Sequence, residues 1–211
     1  MRRKNVYLLL LLFPVLFSCR ENEPPKKSVE VIDSLQLSSS NEYANRDQSP
    51  MDMSYFPPDY PLQKMNRTDS TGPVARVIYS RPHKKGRAIF GNTPESLCQY
   101  GKEWRLGANE ATELELFTNV NIAGTNIPAG RYILYCIPYA DKWTVIFNSN
   151  LFTWGLHMDK SKDIFRIDAP VSIQSPALED FTMVFISKPH GADLLMAWDS
   201  VKVSLPIDFS K

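Results

Sequence analysis

The side chains best suited to chemistry lie between Tyr79 and Thr112, a stretch rich in glycine, arginine and aromatic residues. From Arg81 to Arg105 it carries six lysines or arginines against two acids. Planar guanidinium groups match carboxylates and phosphates, because their donors are paired in one plane. We therefore predict an anion pocket built from Arg81, Arg87 and Arg105. The alternative for each is a solvated loop charge or a structural group bonded to backbone carbonyls.

Asn109 and Glu110 follow Gly107, which can adopt unusual backbone angles, at the mouth of a predicted strand. A carboxylate at that position could act as a general acid or base, or could orient a ligand beside Asn109. A glutamate paired to Arg87 or Arg105 only for structure would account for the same residues. Glu110 is therefore the candidate catalytic residue, and both residues are candidate ligand contacts.

Three large rings, Tyr100, Trp104 and Trp154, lie next to glycines in loop-like segments. Aromatic rings stack well on sugars, since both offer flat apolar surfaces with polar edges. We therefore include them among the predicted ligand contacts. The alternative is that they fill the core, as most tryptophans of a small domain do.

The sequence contains no pattern typical of a metal site or of a nucleophilic catalyst. His83, His157 and His190 are far apart, without the close spacing of a zinc motif, and no serine-nucleophile motif is present. We expect no metal and no cofactor. Cys98 and Cys136 could form a disulfide after export, or could remain buried free thiols, and the sequence leaves both alternatives open.

The amino terminus is typical of an exported, lipid-anchored protein. A basic start at residues 2–4 precedes an apolar run from Val6 to Phe17, which suits a signal peptide over residues 1–18. Ser18 followed by Cys19 resembles a lipobox, so Cys19 is the predicted acylation site and the membrane a predicted partner. Because Arg20 follows, we expect an outer-membrane anchor facing the periplasm or the cell surface. The alternative is a cleaved signal with an incidental cysteine.

Residues 19–72 are rich in serine, asparagine, proline and acids, and their apolar residues show no regular period. Such a composition cannot bury enough surface to offset the entropy of ordering. We predict a flexible tether. Its aromatic and proline-rich arm, near residues 53–62, either packs on the domain or a partner, or is a stiff polyproline-like stretch.

Residues 73–211 read as one all-β domain. Short runs rich in β-branched and aromatic residues are separated by glycine, proline or asparagine, and helical periodicity is nearly absent. Leu114 and Leu116 alternate with Glu113 and Glu115, as in a strand with one wet face. Tight turns are expected at Asn121 to Gly124 and at Tyr139 to Lys142. The pattern predicts an antiparallel β-sandwich, with a jelly-roll-like or barrel-like variant as the alternative.

Nine motifs follow one another along the chain: Tyr79 to Pro82, Lys85 to Arg87, Tyr100 to Arg105, Gly107 to Thr112, Pro128 to Tyr132, Trp143 to Asn148, Trp154-Gly155, Lys162-Asp163 and Trp198. Together they resemble one family, the bacterial domain of unknown function 2911, which is common among lipoproteins of Bacteroidetes. The resemblance covers roughly residues 74–208 and implies the fold and the compartment, without an activity. His157 and Met158 depart from the aromatic residues that family members more often show after the Trp-Gly pair.

Taken together, these features predict a non-catalytic envelope module that binds a small polar or anionic ligand, a sugar or an acid. Two alternatives remain, an envelope hydrolase using Glu110 and a structural partner of another envelope protein using the arm. The domain carries nearly equal numbers of basic and acidic side chains, so it lacks the positive excess that binds nucleic acid. The oligomeric state is not indicated.

Overall fold

The computed structural model describes residues 49–66 and 72–209. The predicted signal peptide, Cys19 and the tether up to residue 48 lie outside this range. The described elements are β1 Met51–Phe56, α1 Tyr60–Asn66, β2 Ala75–Ser80, β3 Phe90–Gly91, β4 Cys98–Gln99, β5 Thr112–Leu116, β6 Val120–Ile122, β7 Thr125–Ile127, β8 Gly130–Pro138, β9 Lys142–Asn148, a 3-10 turn Lys160–Lys162, β10 Asp163–Lys188 and β11 Gly191–Asp208. None of the helices described has the length and apolarity needed to cross a bilayer.

Nine strands form one large antiparallel sheet in the order β1-β2-β5-β8-β9-β10-β11-β6-β7. The strand β10 joins its two halves, because residues 163–170 pair with β9 and residues 171–188 pair with β11. Register shifts between Ile173 and Thr182 let this strand bend. The two halves share one buried core, so the predicted all-β, sandwich-like class is confirmed, and the sheet does not close into a barrel.

The predicted alternation is seen in β5. Leu114 and Leu116 are buried, whereas Glu113 and Glu115 lie on the outer face and pair with Arg131 and Arg76. Opposite charges on neighbouring strands stabilise the sheet from its wet side. Both predicted turns also form. The amide of Tyr139 donates to the Lys142 carbonyl at 2.8 Å, and that of Gly124 to the Asn121 side chain at 2.8 Å.

The strands β10 and β11 are longer than the short runs we predicted. The apolar runs at residues 164–167 and 181–186 both belong to β10, and those at residues 194–198 and 201–205 both belong to β11. Pro176 and Asp199, which read as breaks in the sequence, lie where the ladder shifts register, and Asp199 has a φ of 54°.

The arm begins as a strand packed on the domain, which is one of the alternatives that the sequence left open. Residues 51–56 form β1, which pairs with β2 from Met51 opposite Ser80 to Phe56 opposite Ala75. The Phe56 ring stacks on Phe209 with centroids 4.7 Å apart. The folded part therefore begins before residue 73, because pairing with β2 and aromatic contacts stabilise a segment whose own composition does not.

The two cysteines of the described chain are both buried and unlinked. Burial raises the pKa of each thiol, at Cys98 and at Cys136. Of the two alternatives left open by the sequence, the structure contains the free thiols.

Candidate functional site

Several of the predicted loops meet at one cleft of about 260 Å³. We call it the arginine cleft. Residues 82–87 contribute one side, and residues 103–108, which lead into β5, contribute another. Two further walls come from the connection between β3 and β4 and from the loop after β9. The side chains that matter below are Pro82, Arg87, Leu97, Glu103, Arg105 and Leu156.

Arg87 and Arg105 are held by backbone carbonyls. The Nε of Arg87 donates to the carbonyl oxygen of Lys84 at 3.0 Å, and a second guanidinium nitrogen donates to that of His83. A terminal nitrogen of Arg105 donates to the Trp154 carbonyl at 3.0 Å. Desolvation lowers the pKa of Arg105, but a guanidinium stays charged at any physiological pH. Both cations are thus fixed in place while some of their donors remain available.

Arg87 and Arg105 differ from the other described arginines in their ion pairing. Of the six arginines in the described ranges, four form ion pairs, with Glu115, Asp52, Glu113 and Asp163. Arg87 and Arg105 are the two without a carboxylate partner in that part of the chain, and both line the arginine cleft. Arg105 is partly buried and Arg87 is exposed, and the planar donors of a guanidinium group match carboxylates and phosphates. Two uncompensated guanidinium groups at one cavity therefore favour an anionic ligand.

Arg81 is not part of the cleft. Its guanidinium donates to the Asp52 carboxylate at 3.0 Å, and its backbone amide donates to the Pro50 carbonyl at 2.9 Å. The structure therefore does not bring Arg81 together with Arg87 and Arg105, as we had predicted. The ion pair could not be foreseen, because Asp52 belongs to β1, a strand that its composition does not indicate.

The Trp104 ring is a core residue. It is 9% exposed, its Nε1 donates to the Gly107 carbonyl at 3.1 Å, and it stacks on Trp198 at 5.9 Å. Trp143 and Phe181 cover it further, with centroids at 5.5 and 4.9 Å. The ring borders the floor of the cleft, but its faces are covered, so the sugar-stacking prediction fails for Trp104.

The other two rings differ in exposure. Tyr100 is half-buried and does not line the arginine cleft. Trp154 is 55% exposed and lines a separate groove of about 220 Å³. Only Trp154 therefore keeps a ring available for stacking.

That second cavity, which we call the Glu110 groove, lies along residues 110–113 and 152–154. Glu110 is exposed there. The other carboxylate of the groove, Glu113, is ion-paired to Arg131. The structure thus places Glu110 beside Trp154 but in a different cavity from Arg87 and Arg105, and it forms no ion pair with either of them.

Asn109 lies where the chain enters the domain. Its side-chain amide donates to the carbonyl oxygen of Ser49 at 3.4 Å, and its φ is 55°. Ser49 also lines the arginine cleft and a neighbouring depression with His83, Lys85 and Arg87. Asn109 therefore positions the end of the tether against the site, while its neighbour Ala108 lines the cleft.

A polar network absent from our predictions fixes the loop of residues 149–159. Burial alone would raise the pKa of Asp163, but hydrogen bonds from Asn148, Arg166 and Tyr135 outweigh it and lower that pKa. Asn148 also donates to the Asp159 carbonyl at 2.9 Å, and Asp159 caps the 3-10 turn. Asn148 and Asp163 appear in the family motifs, but their long-range partnership cannot be read from one sequence.

In the described ranges, no cluster of three or more His, Cys, Asp or Glu side chains could hold a metal ion. The His83 ring instead pairs with the Asp180 carboxylate.

A comparison with known protein families finds a match over most of the folded part of the chain. A family model described as "Protein of unknown function (DUF2911)" matches residues 61–207. The chain belongs to the DUF2911 family. The match to DUF2911 spans the strands from β2 to β10 and all but one residue each of α1 and β11, and so includes all the walls of the arginine cleft except Ser49. No curated protein and no solved structure matches the chain.

Proposed function

We propose that this DUF2911 protein is a lipid-anchored binding module of the cell envelope that holds a small anionic ligand at the arginine cleft. The observation that carries the proposal is the pair Arg87 and Arg105, the two described arginines without a carboxylate partner, at one cavity. A carboxylate or phosphate would supply the missing counter-charge. Charge-assisted hydrogen bonds of this kind are the stronger ones in proteins.

Preorganisation supports binding at this site. Each guanidinium group is already oriented by a backbone carbonyl, that of Lys84 for Arg87 and that of Trp154 for Arg105. A ligand then loses less free energy to the ordering of flexible side chains. The acid that lines the cleft, Glu103, is ion-paired to Lys160 at 2.6 Å, so its charge is already compensated.

The anchor is the second part of the proposal and rests on the sequence around Cys19. The described chain starts at Ser49, which lines the arginine cleft. A tether of 30 residues from Cys19 to Ser49 reaches at most about 100 Å when fully extended. Labelling with a radioactive fatty acid in cells tests the anchor. We expect incorporation into the natural chain and none into Cys19→Ala.

A thermal-shift screen tests binding. Phosphate, sulfate, acetate and glucuronate should raise the melting temperature, and neutral glucose should not. A ligand at 100 times its dissociation constant adds about 2.7 kcal/mol of stability, roughly 5–10 °C for a domain of this size. The shift should vanish in Arg87→Gln/Arg105→Gln and persist in Arg76→Gln, whose arginine pairs with Glu115 and does not line the cleft. Equal shifts in all three proteins would refute the proposal.

The hydrolase alternative would use Glu110. It gains less support, because Glu110 lies outside the arginine cleft and its neighbour Glu113 is ion-paired to Arg131. Turnover of any envelope substrate that disappears in Glu110→Gln, with binding retained, would establish it. The structural-partner alternative would use the arm, whose Phe56 ring is occupied by contacts with Phe185 and Phe209.

A further inference from the structure

Two leucines line the arginine cleft with their side chains exposed. Leu97 is 48% and Leu156 is 65% accessible. Single exposed apolar residues are ordinary on protein surfaces. These two instead share one concavity with the unpaired cations Arg87 and Arg105, so the cleft has a charged part and an apolar part.

The backbone holds both leucines in position. The amide of Leu97 donates to the Ala88 carbonyl at 3.0 Å, which ties it to the chain leading into β3. Leu156 follows Gly155, where a Cβ atom would lie 2.9 Å from that of Ala111. This close approach fixes the loop against the residues before β5. The leucines therefore stay at the cleft and do not fold into the core.

Apolar surface continues beyond the cleft on the same loop. Trp154 is 55% exposed, two residues before Leu156. The base of this loop is fixed by the hydrogen bonds of Asn148 to Asp159 and Asp163. A fixed base presents the apolar side chains in one arrangement, which lowers the entropic cost of covering them.

From this arrangement we infer that the ligand of the arginine cleft is an amphiphile. Its carboxylate or phosphate contacts Arg87 and Arg105, and its alkyl or aryl part covers Leu97 and Leu156. The inference rests on the proposed function and narrows it. A sugar acid fits less well, because its hydroxyl groups would face leucine side chains that offer no hydrogen bond. The same chemistry is found in free fatty acids and in the headgroup region of anionic lipids.

Calorimetric titration of the full chain with acetate, butyrate, hexanoate, octanoate and decanoate, all kept below micelle formation, tests the inference. Covering apolar surface should strengthen binding roughly three- to fourfold for each added methylene until the cleft is filled. Leu97→Ser/Leu156→Ser should abolish this dependence on chain length, so that decanoate binds this variant no more tightly than acetate does. The matched control is Ile173→Ser, which changes a residue 72% exposed and outside the cleft. Thermal melts confirm that all variants fold.

Equal affinity for acetate and decanoate, both lost in Arg87→Gln/Arg105→Gln, would overturn the amphiphile and leave the anion site standing. Absence of binding to every acid would overturn both proposals. The source of the ligand is tested with Cys19→Ser, which removes the anchor. If Cys19→Ser sediments with phosphatidylglycerol vesicles, and no longer does so when Arg87→Gln and Arg105→Gln are added, the ligand is a lipid headgroup. If Cys19→Ser binds decanoate but does not sediment with the vesicles, the ligand is a free amphiphile.

Discussion

Arg105 donates a hydrogen bond to the carbonyl oxygen of Trp154 at 3.0 Å. This bond joins the chain before β5 to the loop after β9, two walls of the arginine cleft that lie about fifty residues apart in sequence. It also separates the two roles of Trp154, whose backbone shapes the charged cleft while its ring lines the Glu110 groove. The next residue, Gly155, makes this approach possible.

We predict that Gly155→Ala weakens both folding and anion binding. Gly155 has a φ of 80°, and an added Cβ would lie 2.9 Å from the Cβ of Ala111 and 3.0 Å from that of Arg105. Gly124→Ala is the matched control, since its φ is 83° but nothing lies within 4 Å. Chemical denaturation should show a loss of about 1 kcal/mol for the control, from backbone strain alone, and a larger loss for Gly155→Ala. Equal losses of stability in Gly155→Ala and Gly124→Ala would contradict the prediction, because the loop would then move aside to accommodate the added Cβ atom.

The two tryptophans assigned to ligand stacking from sequence should behave in opposite ways. Trp104→Ala removes a ring packed among Trp143, Trp198 and Phe181 and should cost about 3–5 kcal/mol. Trp154→Ala removes an exposed ring and should cost less than about 1 kcal/mol. Urea denaturation curves measure both values. A small loss for Trp104→Ala would contradict its placement in the core.

The sequence predicts correctly those parts of the fold that depend on neighbouring residues, such as the buried face of a strand or a tight turn. Alternation placed Leu114 and Leu116 inside, and turn chemistry located the hairpin at Tyr139 to Lys142. The strand β1 escaped prediction because its stability comes from pairing with β2, about twenty-five residues later. The candidate site could be predicted only in part, because it too depends on contacts between residues far apart in the sequence. Arg87 and Arg105 stand out by composition, but the ion pair that removes Arg81 depends on a strand that the sequence conceals.

The carboxylate of Asp163 should make stability depend on pH. Its pKa is lowered in the folded state, so its contribution is complete above the unfolded value of about 3.9 and is lost as the pH falls through the lower folded value. At pH 7, Asp163→Asn should be less stable by roughly 1.5–3 kcal/mol, the usual loss of a hydrogen-bonded charge. Denaturation at pH 7, 5 and 3 should show this difference preserved at pH 5 and reduced at pH 3. A difference that does not change with pH would rule out an ionised Asp163 at the base of the loop.

The thiols of Cys98 and Cys136 should be inert in the folded protein. Both are buried, and burial raises the pKa of each, so neither forms the reactive thiolate at pH 8. Titration with a colorimetric thiol reagent should detect two additional thiols only after guanidinium is added. Cys98→Ser should reduce that number to one. No increase on denaturation of the unreduced protein would reveal a disulfide instead of the free thiols.

The most direct test of the central claim compares anion affinity in Arg87→Gln, Arg105→Gln, the double variant and Arg76→Gln by calorimetry with decanoate and phosphate. Each cleft arginine should contribute about 1.5–3 kcal/mol through charged hydrogen bonds, so each single variant should bind roughly 10–100 times more weakly. The double variant should show no measurable binding, and Arg76→Gln should match the natural protein. Undiminished affinity in the double variant would contradict the assignment of the arginine cleft as the binding site.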